Sequence, residues 1–350
     1  MKELTLGSTG MKIKALGFGG IPIQRLSETA AVEVVRRGFE LGINFYDTAR
    51  VYTTSEERIG KALEDVRDDV FIATKSTSRD GEGLLKDLET SLKMLRTSWI
   101  DVYQLHMVSK EHEWESIKGP GGALEALHEA KDAGKIEHLG ITSHNPELLR
   151  EIVEEGIFET ILIPYNYLTP KPANDLLPLC RRLNVGTIIM KPFGGGAIRN
   201  IEAALKYVLS NENVDVVIPG MMSSAEVEEN LSIASGGLSL TPVELEQIER
   251  DREELGNQFC RACDYCQPCP QGIRISFVLR AEDQFLRLTG WTPRLTRGIP
   301  EAAEKVASCL SCGECEERCP YQLPIRELLP RKIGSLLDLL AERNAQTTVS

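Results

Sequence analysis

The sequence predicts an α/β chain: a (β/α)8 TIM barrel followed by a smaller helical, ferredoxin-like C-terminal domain. Three observations carry this. Eight strand-like segments alternate with amphipathic helix-like segments between residues 15 and 233, the period of a (β/α)8 barrel. Eight of the nine cysteines lie between Cys260 and Cys319. The charge also splits, with 12 basic against 11 acidic residues from Gly256 onward and 28 against 41 before it. The expected domains are residues 1–255 and 256–350, and 350 residues suffice for one large barrel and an appendage.

Residues 4–13 read as a hairpin turned at Gly7-Ser8-Thr9-Gly10. Strands are expected at 15–19, 44–47, 70–75, 100–106, 136–142, 160–164, 186–190 and 214–219. Amphipathic stretches such as 29–41, 84–95, 123–133 and 225–233 lie between them. An open doubly wound sheet would announce itself by Gly-x-Gly-x-x-Gly after an early strand. Gly17-Phe18-Gly19-Gly20 lacks the third glycine, so the barrel is favoured. Cys180, alone in a helix, reads as a small core residue. Residues 275–288 are helix-like, and 325–342 carry Leu328, Leu329, Ile333, Leu336, Leu337 and Leu340 at helical spacing, either packed back on the protein or forming a subunit interface. Beyond 342 the chain is expected to fray.

With 42% hydrophobic and 26% charged residues the composition is that of a globular protein, and a net charge of −12 disfavours a nucleic-acid partner. No stretch reaches the ~20 apolar residues of a membrane span. Met1-Lys2-Glu3-Leu4-Thr5 has no apolar signal core, so a cytoplasmic location with reduced thiols is expected. The clustered cysteines then read as ligands before disulfides.

Barrel chemistry sits at the C-terminal ends of the strands. Those of the second, third and fourth strands carry Asp47, Lys75 and His106, and Tyr52 follows Asp47 on the same loop. Singly, these residues read as a helix cap, a surface cation, a core histidine and a packed ring. Together on one rim they form a proton-relay set. A phenol with a pKa near ~10 exchanges protons poorly at neutral pH. A neighbouring ammonium lowers that pKa, a carboxylate holds the ammonium, and a neutral imidazole orients a carbonyl oxygen. The set suits the interconversion of a carbonyl and an alcohol.

Asp47-Thr48-Ala49-Arg50-Val51-Tyr52, Ala73-Thr74-Lys75 and Tyr103-Gln104-Leu105-His106 resemble, in order and spacing, the motifs of the aldo-keto reductases. The resemblance covers residues 1 to about 255. It implies a barrel oxidoreductase using a nicotinamide cofactor, with Asp47, Tyr52, Lys75 and His106 catalytic and a small carbonyl or alcohol substrate. Gly140-Ile141-Thr142-Ser143, Pro164-Tyr165-Asn166 and Glu229-Asn230 resemble the family's cofactor-contacting segments. Cofactor contacts are therefore expected from Ser143, His144, Asn166, Glu229 and Asn230. Met190-Lys191-Pro192-Phe193-Gly194-Gly195-Gly196 follows the seventh strand, where barrels hold phosphate; its glycines admit an anion to the backbone and Lys191 adds charge. Met190, Lys191, Phe193, Gly194 and Gly195 join the expected contacts.

Three departures from the family pattern bear on the cofactor. Met190 replaces an aromatic that stacks on the nicotinamide, Leu162 and His144 replace the Gln and Asn that hold its carboxamide, and Gly220 and Glu226 stand where NADP users carry basic residues. NAD(H) is expected to be slightly favoured over NADP(H), or both to bind weakly. Trp114, on a segment 107–121 read as a long loop, either lines the substrate pocket or packs at the surface.

Two cysteine runs follow. Cys260, Cys263, Cys266 and Cys269 are each separated by two residues and end at Pro270; Cys309, Cys312 and Cys315 are followed after three residues by Cys319-Pro320. The second run matches two-cluster ferredoxins, whose fourth cysteine serves the other cluster. Two [4Fe–4S] clusters are expected ahead of zinc, for which repeated triple Cys-x2 spacing with Cys-Pro is rare. By the crossing rule Cys260, Cys263, Cys266 and Cys319 share one cluster, and Cys309, Cys312, Cys315 and Cys269 the other. The first run is one residue short, so Cys269 is the loosest assignment. A nicotinamide moves two electrons and a cube one, and nothing announces a flavin. The clusters are then structural, exchange electrons with an external donor or acceptor, or serve an unseen acceptor. The rival reading of the whole chain is an electron-transfer protein whose barrel is a docking or sensing module.

Overall fold

Strands β1 (Glu3–Thr5) and β2 (Lys12–Lys14) pair as an antiparallel hairpin. Eight strands then run parallel in chain order: β3 (Phe18–Gly19), β4 (Phe45–Asp47), β5 (Phe71–Ser76), β6 (Ile100–Leu105), β7 (Ile136–Thr142), β8 (Thr160–Pro164), β9 (Gly186–Met190) and β10 (Val216–Val217). Parallel bridges Leu16↔Val217 and Gly19↔Gly220 join the first strand to the last. The Val217 N–H donates to the Ala15 carbonyl, and the Gly17 N–H to the Val217 carbonyl, each at 2.9 Å. The ring is thus a closed barrel. This computed structural model describes residues 1–348.

The two-residue period of a strand sorts the side chains into two layers. Phe45, Ala73, Val102, Leu162, Ile188 and Val216 point inward and form the barrel's interior with Leu6, Met11 and Ile13 of the hairpin, which plugs the N-terminal mouth. Gly7 turns that hairpin at φ +48°, and a Cβ there would lie 2.1 Å from the Gly186 nitrogen, so no side chain fits. Tyr46, Ile72 and Tyr103, the alternate residues, pack outward under the helices. Helix Glu28–Glu40 starts at Ser27, whose Oγ accepts the Ala30 N–H, and buries Ala31, Val34 and Val35 against that layer. Two residues on from the apolar interior positions stand Asp47, Lys75 and Gln104, so the same alternation that fills the barrel lifts polar groups into its C-terminal layer.

Residues 107–121 are not a plain loop. Helix Glu111–Lys118 forms there, with Glu113 accepting the Lys110 N–H at its start. Trp114 is buried in the outer layer, 5.8 Å from the Phe158 ring, with Nε1 donating to Glu155 at 2.8 Å, so it packs in the core rather than at the surface. Cys180 is buried in helix Leu176–Leu183, as expected.

The chain divides into two compact units: Met1–Gly194 with Asn200–Leu245, and Gly195–Arg199 with the chain from Glu246 onward. The core of the second is built by helices Ile275–Arg280, Pro293–Ala307 and Ile325–Thr348. Leu328, Leu329, Ile333, Leu336 and Leu340 all enter this core while Leu337 stays exposed, so the tail packs on its own unit. The tail helix persists past residue 342, where fraying is expected; residues 349–350 lie outside the described chain. Among the described residues no helix is long and apolar enough to cross a membrane.

Candidate functional sites

Lys75 and Gln104 are register partners on β5 and β6, and Asp47 ends β4 beside them. Lys75 Nζ donates to Asp47 Oδ1 at 2.6 Å, to Oδ2 at 2.7 Å and to the Thr48 carbonyl at 2.5 Å, using all three of its protons. Gln104 Nε2 donates to Asp47 Oδ2 at 3.3 Å. The lysine is 1% and the aspartate 3% exposed, so this is a fully desolvated ion pair. Burial pushes the Asp47 carboxyl up and the Lys75 amine down, and each opposes the other's shift.

Tyr52 and His106 complete the group. Lys75 Nζ lies 5.4 Å from the Tyr52 ring centroid, and the His106 ring stands edge-on to Tyr52 at 5.9 Å. The Tyr52 phenol, expected to be lowered by Lys75, is instead pushed up by burial and then by the Asp47 charge. The reason is geometric: the ammonium is spent on Asp47. Burial, then Lys75, Arg79 and Lys191, hold His106 well below the usual histidine range, so its imidazole is neutral.

The loop carrying Tyr52 is tied from below. The Thr48 and Arg50 N–H groups donate to the Ala73 and Lys75 carbonyls at 2.8 and 2.9 Å, and Thr48 Oγ1 donates to Ser55 Oγ at 2.8 Å. Glu56, 2% exposed, accepts from Thr74 and Ser91 hydroxyls at 2.7 Å each and pairs with Arg50. Arg79 Nη2 donates to the His106 and Met107 carbonyls at 2.9 and 3.1 Å, fixing the turn that presents His106. Glu56 and Arg79 are absent from the sequence reading, because a single charge off the strand ends carries no periodic signal. Gln104 lies within a quoted motif, where its inward position was the available clue.

On the expected cofactor side, Lys191 turns the chain out of β9 at φ +57°. Asn166 Nδ2 donates to its carbonyl at 2.9 Å, and Lys191 Nζ lies 3.3 Å from His144 Nε2. Lys191, His144 and Asn166 are thus brought together. Ser143 is buried, its Oγ accepting the Asn145 N–H at 2.9 Å, and Met190 packs against the barrel interior. Phe193 packs on the outer core, and the Gly194 N–H returns to the Lys191 carbonyl at 2.9 Å. Gly195 is grouped with the second unit. On helix Ser224–Ser235, Glu229 is exposed and Asn230 buried with an unbonded side-chain oxygen. Glu226 accepts the Met222 N–H at 2.6 Å as part of that helix's cap.

In the second unit all eight clustered cysteines are free thiols. Cys260, Cys263, Cys266 and Cys319 line one cavity, together with Arg261, Tyr265 and Tyr321. Cys269, Cys309, Cys312 and Cys315 line another, and Cys266 stands on its wall too. Cys269, the loosest assignment, thus faces the same cavity as the second run. Among the described residues no three His, Cys, Asp or Glu converge as ligands of a single ion. Four soft sulfur donors around the first cavity and five around the second, counting the shared Cys266, fit an iron–sulfur cube in each. The first cavity is the drier: Cys260 and Cys266 are buried, and burial pushes the Cys263 thiol up to about 11. In the second, Cys312 is exposed.

Comparison with known proteins agrees with both units. The model of the Aldo/keto reductase family matches residues 13–203, and that of the 4Fe-4S dicluster domain matches residues 259–324. L-galactose dehydrogenase of Arabidopsis thaliana is 29% identical over 301 residues, spanning 71% of this chain and 91% of the plant protein. Aldo-keto reductase AKR11C1 from Bacillus halodurans, in its holo form, superposes with a TM-score of 0.63 at 26% identity, covering 72% of this chain and 96% of that one. An aldo/keto reductase from Klebsiella pneumoniae, solved with NADP and acetate, shares the fold at 22% identity and a TM-score of 0.60, covering 71% of this chain and 94% of that one. The chain belongs to the aldo/keto reductase family and carries a 4Fe-4S dicluster domain at its C-terminal end.

Proposed function

We propose that residues 1–255 interconvert a small carbonyl compound and its alcohol with a nicotinamide cofactor, and that residues 256–350 hold two [4Fe–4S] clusters. The observation that carries the first part is the buried Lys75–Asp47 pair flanked by the Tyr52 and His106 rings at the C-terminal end of the barrel. When bound, the nicotinamide supplies or accepts the hydride. Tyr52 gives its phenolic proton to the carbonyl oxygen as the alcohol forms and takes it back in the reverse direction. Burial and the Asp47 charge keep the phenol protonated at neutral pH, the form a proton donor needs, while making it a weaker acid than a free phenol. Neutral His106 orients that oxygen, and Asp47 fixes Lys75 beside the phenol. Asn166, Ser143, His144 and Lys191 would contact the cofactor, a reading supported by the closeness of Lys191 to His144 and Asn166. Tyr52→Phe should bind cofactor normally and lose nearly all turnover; retained turnover refutes the assignment.

The acidic Glu226 and the bare Gly220 support NAD(H) over NADP(H), because a carboxylate repels a 2′-phosphate. Titration should give a Kd for NADH no weaker than that for NADPH, and a much tighter NADPH Kd overturns the preference. Cys260, Cys263, Cys266 and Cys319 would hold one cluster and Cys269, Cys309, Cys312 and Cys315 the other, supported by their grouping around two cavities. Each cube supplies one-electron transfer, with an external donor or acceptor as partner. The free cysteines fit work in a reducing cytoplasm.

A further inference from the structure

The two cysteine cavities differ in the cations around them. Arg280, at the end of helix Ile275–Arg280, is 2% exposed, among the most buried large side chains in the chain. Its Nη1 donates to the Cys260 carbonyl at 2.6 Å, and its guanidinium lies 4.5 Å from the Phe259 ring centroid. Its other nitrogen abuts Gly195, where a Cβ would come within 2.6 Å of Nη2. Arg280 stands behind Cys260 rather than on the cavity wall; Arg261 and the acidic Asp264 line the cavity of Cys260, Cys263, Cys266 and Cys319. Arg261 donates to the Gly256 and Phe259 carbonyls at 2.6 and 2.7 Å and lies 4.1 Å from the Tyr321 centroid. The cavity of Cys269, Cys309, Cys312 and Cys315 has two arginines, but Arg318 pairs with Glu314, and Arg326 with Glu316 at 2.6 Å, at the solvent surface.

Reduction of a cube adds one negative charge. A buried cation beside the ligand loop favours the reduced form far more than a solvated cation already paired with a carboxylate. We propose that Arg280, seconded by Arg261, is a positioning residue that raises the reduction potential of the cluster held by Cys260, Cys263, Cys266 and Cys319, and leaves the other cluster untouched. This rests on the two-cluster reading above.

The test is a dithionite titration of the anaerobic full-length protein followed by EPR, after its iron and sulfide have been measured. The cluster of Cys260, Cys263, Cys266 and Cys319 is the inner one and that of Cys269, Cys309, Cys312 and Cys315 the outer; Cys312→Ser marks the signal of the outer cluster. Arg280→Gln should shift the inner cluster's one-electron equilibrium at least tenfold toward the oxidised form, a fall of 59 mV, with the outer midpoint unmoved. Arg280→Lys, which keeps the charge, should recover most of the shift. Absent iron in the wild-type chain sinks the two-cluster reading itself. Full iron with an unmoved inner midpoint in Arg280→Gln overturns the tuning role alone. Loss of the inner cluster in both Arg280→Gln and Arg280→Lys also overturns it, since the arginine would then be a structural strut.

Discussion

The barrel and the cysteine unit handle buried polar groups in opposite ways. In the barrel, Lys75 spends three protons on Asp47 and Thr48, Glu56 is met by Arg50 and two hydroxyls, and Arg67 pairs with Asp101 at 2.7 Å. Every one of those partners is supplied by the chain. In the second unit the sulfurs instead face two cavities, and Cys260 and Cys266 sit inside the apolar core. A protein that closes its own charge balance holds a site ready before ligand arrives, whereas one that leaves donors facing a cavity makes its ligand part of the fold.

Iron removal should therefore break the comparison most visibly. Chelation under mild oxidation should abolish the cooperative unfolding of the second unit and leave the barrel's transition in place, read by calorimetry; a barrel that melts with it would show that the two units share one cooperative core. Next in size, Tyr52→Phe should lower kcat by roughly 10²–10⁴ with an unchanged denaturation midpoint, because the phenol's contribution is to chemistry. Lys75→Met should lose about 3–5 kcal/mol in a denaturant titration by stranding Asp47, and adding Asp47→Asn should recover much of it. If the double variant is no more stable than the single, the pair is not the coupled unit described here.

The pH dependence is a smaller effect. His106 stays neutral in the folded chain while the unfolded chain takes up a proton near its ordinary pKa of about 6.5. Below that pH the unfolded state binds more protons, so stability should fall as the solution is acidified and be flat above it. His106→Gln should flatten the acid limb, and an unchanged limb would show that other groups set it. Smallest, Trp114→Phe should lose about 1 kcal/mol, the net worth of its hydrogen bond to Glu155, with kcat unmoved.

Much of this was legible in the sequence, because a strand's two-residue period and a cysteine run's spacing are local. Strands 136–142, 160–164 and 186–190 read with their observed limits, while 15–19 and 214–219 shrink to two-residue ladders extended by bridges where the ring closes. Asp47, Lys75 and His106 could be picked out as candidates because they stand at or beside strand ends, and Tyr52 because it follows Asp47 on the same loop. Helix Glu111–Lys118 was not: its charged residues surround only Trp114 and Ile117 as buried positions, too few to show a period. The direction of the Tyr52 shift was also out of reach, since it depends on which partner Lys75 faces. Arg280 was invisible for the same reason, being one arginine among many until the fold buries it beside Cys260.

The hairpin plug has a consequence for synthesis. Leu6, Met11 and Ile13 pack among Phe45, Ala73, Val102, Leu162, Ile188 and Val216, and Gly7 against Gly186. At ~5–20 residues per second, the hairpin waits about 10–40 s for the last of the strands it seals. Until then its apolar face has no finished barrel to close.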